Sequence, residues 1–383
     1  MAASVTLGGI KLWERRAEED GVCALKTIMN TGYSKNVDDE HKIDKTIASL
    51  TEKRTRTRVA ALEKLTTHLL NCLAPEDVSD SFINNVLECL RKPSEEEAVL
   101  GSRILAIMAI IFGSNEERFF HRSKHVLRPL IRNARNAKVK SSTIHALGLI
   151  GFLCIVENEN TEDLMKLFET FFNLSVHSSI CKAALESWGL IASSLTDEML
   201  ASESFLERIV PQILALLDHK DVDVRSSAGE NLALLHESAE NCSVSLPCGE
   251  DIVVQILEMS KDGNKRSSKK DRKTQHIVFR DIHSTLANSE TPHVSFLVRG
   301  KMLDIRSWKS VKQFEAVKGC LQTGLQDHIT YNNALRAMLG LPETFEDHKI
   351  DRRDLFNKNS AMKKQRNNEL KGDRKPFGLT QHL

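Results

Sequence analysis

Two short stretches of this sequence concentrate positive charge, the property that lets a protein bind phosphate groups. Residues 261–280 hold eight lysines and arginines against two aspartates, and residues 349–375 hold ten against four acidic residues. Each stretch has a net charge of +6 in a chain whose net charge is +1, so the remaining residues together carry −11. Binding to phosphate backbones, driven by counterion release, is the chemistry that such stretches support.

Fifteen basic side chains in and beside these stretches are the candidate RNA-binding residues. They are Lys265, Arg266, Lys269, Lys270, Arg272, Lys273, Arg352, Arg353, Lys358, Lys363, Lys364, Arg366, Lys371, Arg374 and Lys375. Residues 261–273 contain no apolar side chain, so we expect a mobile loop over 261–274 that either contacts nucleic acid or is a solvated linker.

The basic residues of the tail, 343–383, are spaced to meet a rod of phosphates, and its apolar residues are too few for a continuous helical stripe. The alternative is a disordered tail that only adds solubility. Aromatic side chains are nearly absent from the tail, which favours binding to structured RNA over the reading of single strands.

No arrangement of residues points to catalysis, to a cofactor or to a metal. The phosphate-cradling patterns GxGxxG and GxxxxGK[ST] are absent, as are GxSxG and HExxH. His121 and His125 could share a helix face, but no third ligand accompanies them. The eight cysteines are scattered without a CxxC pair, as expected of buried thiols in a reducing compartment. The sequence therefore predicts a binding protein and no enzyme, with no cofactor, no metal and no small-molecule substrate.

Segments that would direct the chain to a membrane are not found either. Residues 1–10 have neither the charged start nor the apolar core of a signal peptide, and the most apolar run, 104–112, is far shorter than the ~18 residues of a membrane span. We expect no membrane contact, and a cytoplasmic location, a nuclear one, or both.

An internal repeat indicates which elements carry the basic stretches. Five segments share one pattern of small and apolar residues at helical spacing, anchored at Arg58, Leu100, Lys140, Cys181 and Arg225. The intervals between the anchors are 42, 40, 41 and 44 residues, the period of HEAT and armadillo arrays. We predict an all-α fold, with an N-terminal segment 1–40 and a HEAT/armadillo-like α-solenoid over 41–260. The extended concave face of such an array suits protein partners.

Signals at the helix ends support this register. Ser94 and Glu97 form the pattern of a capping box, and Gly113 follows the same helix as a stop. Pro75 and Thr161 each precede acidic residues, as at the start of a helix.

The repeat pattern ends after Met259, and the residues that follow predict a small module. A helix over 275–287 precedes two extended runs, 294–305, that form a β-hairpin about Arg299-Gly300. Two further helices, 308–319 and 327–339, complete a module over 275–342, before the basic tail over 343–383.

Three stretches of the module resemble the interferon-related developmental regulator family: KKDRKTQHIVFRDIHSTL at 269–286, LDIRSW at 303–308 and GLQDHITYNNALRAMLGL at 324–341. The tail, at 351–375, resembles the basic end of the same family. The resemblance implies a non-catalytic regulator of gene expression in one of two roles. In the first, the protein binds ribosomes through rRNA and represses translation by inserting its tail into the mRNA channel. In the second, it is a nuclear transcriptional co-regulator, a scaffold between transcription factors and histone-deacetylase co-repressor complexes.

Overall fold

A computed structural model of the protein describes residues 37–71, 78–113, 116–155, 158–261, 269–298 and 301–341. The chain divides into two units, Met1–Thr46 and Ile47–Leu383. The first unit is described only where helix α1 (Val37–Ala48) begins, and the other described elements belong to the second unit.

Helices account for most of the second unit. They are α2 (Thr55–Leu69), α3 (Asp80–Cys89), α4 (Glu95–Phe112), α5 (Glu117–Asn133), α6 (Ala137–Cys154), α7 (Asn158–Glu169), α8 (Ser178–Ala192), α9 (Asp197–Leu200), α10 (Glu203–Leu214), α11 (Val222–Asn241), α12 (Gly249–Lys261), α13 (Lys269–Asn288), α14 (Trp308–Leu321), α15 (Leu325–Tyr331) and α16 (Asn333–Met338). Short 3-10 turns lie at Ser49–Thr51, Ala215–Asp218 and Gln322–Gly324.

Six helices form a stacked row, in which α2, α4, α6, α8, α11 and α13 each pack against the next. The intervening helices α3, α5, α7, α10 and α12 flank the row, each packed against the row helix that follows it. Hydrogen bonds join residues one repeat apart: the hydroxyls of Ser102 and Thr143 lie 3.4 Å apart, and Asn231 Nδ2 donates to the carbonyl of Leu185 at 2.9 Å. The predicted all-α, HEAT/armadillo-like solenoid is confirmed.

Two of the repeat anchors make equivalent contacts near opposite ends of the row. Arg58 in α2 and Arg225 in α11 each donate to two carbonyls in the turn before their own helix. Each guanidinium also reaches the next row helix, where Arg58 donates to Glu97 at 2.5 Å and Arg225 donates to Gln275 at 2.6 Å. Because Gln275 in α13 takes the place that Glu97 takes in α4, α13 continues the row beyond residue 260.

Helix α4 begins and ends where the sequence predicts. Ser94 and Glu97 exchange both hydrogen bonds of a capping box, and Gly113, at a φ of +74°, ends the helix. Every side chain from Ile104 to Ile111 is buried, so this helix is enclosed on all sides. Even so, among the described helices none is long and apolar enough to cross a membrane.

Helices α6 and α8 approach each other closely at Gly148. A Cβ at this position would lie 2.6 Å from the Cβ of Ser187, a distance that real side chains do not tolerate. The hydroxyl of Ser187 also donates to the carbonyl of Ile144, 3.3 Å away. Glycine is therefore required here by the packing of two row helices.

Two predicted helix starts are wrong. Helix α7 begins at Asn158, three residues before Thr161, and α13 begins at Lys269, six residues before Gln275. The mobile loop predicted over 261–274 overlaps helices α12 and α13 at Lys261 and at residues 269–274, and residues 262–268 lie outside the described residues. Lysine and arginine are good helix formers, and α13 packs against both α11 and α12, which outweighs the absence of apolar residues at its start. Pro75 lies outside the described residues.

The predicted β-hairpin is confirmed. Strands β1 (His293–Val298) and β2 (Lys301–Arg306) pair antiparallel, with Val298 opposite Lys301. The ring of Phe296 stacks on Phe314 of α14, with the ring centroids 4.2 Å apart, so the hairpin packs against the helix that follows it.

The helices after the hairpin differ from the prediction in one respect. The single helix predicted over 327–339 is two helices, α15 and α16, separated at Asn332. The Asn332 side chain accepts from the backbone N–H of Leu335 as the N-cap of α16, and its Nδ2 donates to the carbonyl of Ile110 at 2.9 Å. These two hydrogen bonds hold the residue in an extended conformation and explain the break.

Candidate functional site

The structure places four of the fifteen candidate RNA-binding residues on a helix and describes none of their side chains. Lys269, Lys270, Arg272 and Lys273 lie at the start of α13, the last helix of the stacked row. Lys265, Arg266 and the nine tail candidates over 352–375 lie outside the described residues. What the structure adds is the setting of the basic stretch: it joins α12 to α13 and therefore lies within the last repeat.

Residues 308–341, here called the return segment, run back across one face of the stacked row. Helix α14 packs against α11, α8, α6 and α4 in turn, and α16 packs against α4. The apolar face of α14 is buried against these helices at Phe314, Val317 and Leu321, which follow the spacing of one helical face. Trp308 is also buried, and its Nε1 donates to Thr285 of α13 at 3.0 Å.

Polar contacts hold the first turns of α14 to the later repeats. The backbone N–H of Trp308 donates to the Glu237 carboxylate at 2.6 Å, and Lys309 Nζ lies 2.6 Å from Asp197 Oδ1. Lys312 is only 6% exposed, and its ammonium lies 2.7 Å from Glu230 Oε2. A buried lysine is expected only where a carboxylate accompanies it.

The pKa of the Asp197 carboxyl reflects its contact with α14. Its partial burial by itself raises the pKa, but hydrogen bonds from Lys309, Asn241 and Ser238 outweigh burial and hold the pKa below its ordinary value. The ionised carboxylate therefore stabilises the docked position of α14.

The far end of the return segment is fixed to the first repeats. Both Nε and Nη2 of Arg103 in α4 donate to the carbonyl of Cys320, at 3.0 and 2.9 Å. The ring Nε2 of His328 donates to the carbonyl of Leu69, 3.3 Å away, and His328 is fully buried. The chain thus covers part of the row face that a helical-repeat protein offers to partners. One signal in the sequence pointed to this: α4 is too uniformly apolar to have a solvent-exposed face.

The described thiols and carboxylates show no arrangement suited to chemistry. Burial raises the pKa of Cys154 to about 12 and that of Cys181 to about 11, so both thiols stay protonated and non-nucleophilic near neutral pH. Within the described ranges, no group of three or more His, Cys, Asp or Glu side chains could hold a metal ion.

Acidic and basic residues lie in different turns of the repeats, a feature that the sequence analysis missed. Two of the turns that lead from one repeat to the next are acidic: residues 155–163 hold four acidic residues, residues 193–203 hold three, and neither holds a lysine or arginine. Turns within the first three repeats instead carry exposed basic side chains at 53–56, 91–92 and 132–138. The signal could have been found, because each of these clusters lies just before a repeat anchor.

Comparison with known proteins decides the family. The model of the interferon-related developmental regulator family matches residues 14–287, well over half of the chain. The chain belongs to the interferon-related developmental regulator family. It is similar to interferon-related developmental regulator 2 of Mus musculus, 28% identical over 335 residues that cover 79% of this chain and 73% of the relative. It is also similar to interferon-related developmental regulator 1 of the same species, 25% identical over 359 residues that cover 86% and 79%.

Solved structures to which the chain is similar include engineered and designed proteins. One is a designed armadillo repeat protein in complex with the peptide (KR)4, which is 14% identical, covers 63% of this chain and 99% of its own, and superimposes with a TM-score of 0.40. Another is an engineered protein at 15% identity and a TM-score of 0.44. Family membership makes the protein a regulator of differentiation, and both the regulator family and the helical-repeat fold are of a non-catalytic kind.

Proposed function

We propose that this family member binds ribosomes through structured RNA and represses translation, with its basic tail occupying the mRNA channel. The observation that carries the proposal is the fixed origin of the tail. The return segment is held on the stacked row by buried contacts up to Leu335, which is 2% exposed. The basic residues of the tail begin shortly after the end of that segment, at Lys349.

A tail that begins at a fixed point on a docked body gains affinity from its attachment. Once the repeats are bound to a large particle, the tail searches only a small volume around its origin, at an effective concentration in the ~mM range for a short linker. Ten basic residues over 349–375 then find phosphates without a second encounter from solution. Repression follows from occlusion, with no bond made or broken, in the cytoplasm.

The test is co-sedimentation with purified ribosomes at 50 and 200 mM salt. It uses the full chain and a chain ending at residue 348, which retains all described elements. We expect binding of the full chain to fall steeply with salt, by about 10³–10⁵ for six to ten phosphate contacts, and binding of the shortened chain to be much weaker. Equal sedimentation of the two chains would exclude the tail from ribosome binding.

A point variant tests the insertion step itself. Reversal of three charges, Lys363→Glu, Lys364→Glu and Arg366→Glu, should abolish competition with mRNA, because it places negative charge among phosphates. Replacement of Asn357 and Asn359 by Ser in the same tail changes no charge and is the matched control. Retained competition by the charge-reversed protein would exclude the insertion mechanism.

The second candidate function is the nuclear co-regulator scaffold that bridges transcription factors and deacetylase co-repressor complexes. The exposed carboxylates of the acidic turns, Glu159, Glu198 and Glu203, favour it, because they suit basic protein partners better than they suit RNA. A complex held by the packed surfaces of the repeats should change little between 50 and 200 mM salt, and it should survive the three tail reversals. Nuclear co-purification with both of these properties would favour this function over the first.

A further inference from the structure

Eight exposed basic side chains lie in or beside the turns within the first three repeats. They are Lys53, Arg54, Arg56, Arg91, Lys92, Arg132, Arg135 and Lys138, and together they are called the basic edge. All eight stand outside the two basic stretches that dominate the sequence. They come from three turns that are 33 or more residues apart in sequence and become neighbours only when the repeats stack.

Hydrogen bonds between the turns hold this edge together. Arg58 donates to the carbonyl of Lys53 at 2.9 Å and to Glu97 in the next repeat at 2.5 Å, which joins the first turn to the second. Asn136 Nδ2 donates to Glu95 Oε2 at 2.7 Å, which joins the second turn to the third. Neighbouring helices in such a row lie about 8–10 Å apart, so the edge presents its charges along roughly 20 Å of a hydrogen-bonded strip.

Most charges of the basic edge are available to a partner. Among described residues, Arg91 pairs with Glu88 at 3.0 Å, but both side chains are more than half exposed, and such pairs contribute little. The other seven make no ion pair within the described ranges. The exposed acidic residues nearby are four, namely Glu52, Glu88, Glu95 and Glu96, so the basic side chains outnumber them two to one.

We propose that the basic edge binds the phosphate backbone of double-helical RNA. Five of its eight residues are arginines, whose planar guanidinium forms two parallel hydrogen bonds to a phosphate. RNA duplexes are recognised mainly by their shape and through phosphate and sugar contacts, which suits a rigid line of cations. The inference rests on the proposed function, since it names the surface through which the body of the protein docks on ribosomal RNA.

The composition of the edge argues against two other ligands. The turns over 49–58, 89–97 and 132–140 contain no Phe, Tyr or Trp, so they offer no platform on which unpaired bases could stack. A membrane surface would also require apolar side chains beside the charges. The large apolar side chains exposed among the described residues, such as Leu174 and Val254, lie in other repeats.

Four basic residues of the first stretch, Lys269, Lys270, Arg272 and Lys273, lie at the start of row helix α13. Arg56 and Lys138 of the basic edge likewise lie in the first turns of row helices α2 and α6.

The experiment measures binding of the full chain to a labelled 20-base-pair RNA duplex by fluorescence anisotropy between 50 and 200 mM KCl. The variant carries Arg132→Glu, Arg135→Glu and Lys138→Glu. Because each phosphate contact contributes roughly 0.9 to the slope of log K against log salt, the loss of three should lower the slope by about 3 and weaken binding about 10²–10³-fold at 0.1 M salt.

The matched control makes the same charge change away from the edge, with Lys64→Glu, Arg118→Glu and Lys166→Glu, at three positions that are also exposed. All six substitutions are on the surface, and circular dichroism checks that both variants fold. The inference predicts that only the edge variant loses duplex binding. Equal loss in the two variants, or no loss in either, overturns it, as does displacement of the duplex by polyglutamate at equal charge.

Ribosome co-sedimentation of the same proteins separates the inference from the proposed function. Duplex binding through the edge without ribosome binding would support the inference and overturn the proposed function. Ribosome binding that requires residues 349–375 and is unchanged in the edge variant would support the proposed function and overturn the inference.

Discussion

The contact between Arg58 and Glu97 gives the sharpest test of how the repeats are held together. Glu97 is 1% exposed at its side chain and Arg58 is 20% exposed, and the pair joins two successive row helices at 2.5 Å. The second carboxylate oxygen of Glu97 accepts from the backbone N–H of Ser94 at 2.8 Å, within the capping box. The substitution Glu97→Gln keeps the shape of the side chain and removes its charge.

The expected loss of folding stability follows from the number of hydrogen-bond donors that bind the Glu97 carboxylate. Glutamine has one carbonyl oxygen, so it can accept from Arg58 or from Ser94 but not from both in the same geometry. One hydrogen bond to a charged group is lost, which costs about 2–3 kcal/mol. For a chain of this size about 1–2 °C of melting temperature correspond to each kcal/mol, so we expect the midpoint to fall by about 2–6 °C.

The pH dependence of this loss has a definite sign. Burial by itself raises the pKa of Glu97, but the hydrogen bonds from Arg58 and Ser94 outweigh burial and hold the pKa below its ordinary value of 4.5. A carboxyl whose pKa is lower in the folded state contributes its stability above pH 4.5 and loses it as the pH falls through the folded-state pKa. The difference in unfolding midpoint between the unsubstituted protein and Glu97→Gln should therefore be largest near pH 7 and should become smaller below pH 4.5.

Thermal unfolding followed by circular dichroism, at pH 7 and in steps from pH 5 to pH 3, measures both effects. The control is Glu96→Gln, one residue away in the same first turn of α4, where the side chain is exposed. We expect this control to change the midpoint by less than about 1 °C, because surface substitutions usually stay within ±0.5 kcal/mol. Equal midpoints for the two variants, or a gap that persists unchanged to pH 3, would refute the reasoning.

Three further outcomes are expected. Gly148→Ala should destabilise by about 1–3 kcal/mol, because its Cβ meets Ser187, whereas Gly319→Ala, with open space around it, should be neutral or stabilising in chemical denaturation. Burial lowers the pKa of His328 below 6.5, and its hydrogen bond to a backbone carbonyl only partly opposes this. As the pH falls, the unfolded chain therefore takes up the proton before the folded chain does, and the stability falls as the pH drops through 6.5. We expect His328→Gln to make the unfolding midpoint less dependent on pH between pH 7 and 5. Lys309→Ala removes two hydrogen bonds of the return segment, at a cost of about 1–3 kcal/mol, and should speed hydrogen exchange in α14 relative to α6.

The repeats could be predicted from the sequence because their signals are local. A spacing near 41 residues, the capping box at Ser94 and the alternation around residues 299–300 all involve neighbours or a fixed period. Each is enforced by backbone hydrogen bonding and by one buried helix face, so a single chain reveals it.

The return of α14 over the row could not be predicted in the same way. Its contacts with α11 and α8 join residues more than 70 positions apart, such as Lys312 with Glu230, and no period in the sequence relates the two. A lysine in an amphipathic helix is expected to be exposed, and only the tertiary fold shows that Lys312 is buried.

The candidate site was predictable only where charge is contiguous. The stretches at 261–280 and 349–375 stand out because their basic residues follow one another. The basic edge has two or three cations in or beside each turn, too few to stand out until the stacked repeats join the three turns by hydrogen bonds. Basic residues that become neighbours only when the repeats stack are separated in the sequence, so no single segment has a high net charge.

The return segment also sets the order in which the protein can mature during its own synthesis. His328 contacts Leu69 across 259 residues and Asn332 contacts Ile110 across 222. At about 5–20 residues per second, helix α2 waits roughly 13–50 s after its own synthesis for the residues that cover it. During that interval the apolar surface of α2 and α4 is open to solvent and to other nascent chains. The first repeats to be made are therefore the last to be completed, and they are where we expect chaperones to bind the unfinished chain.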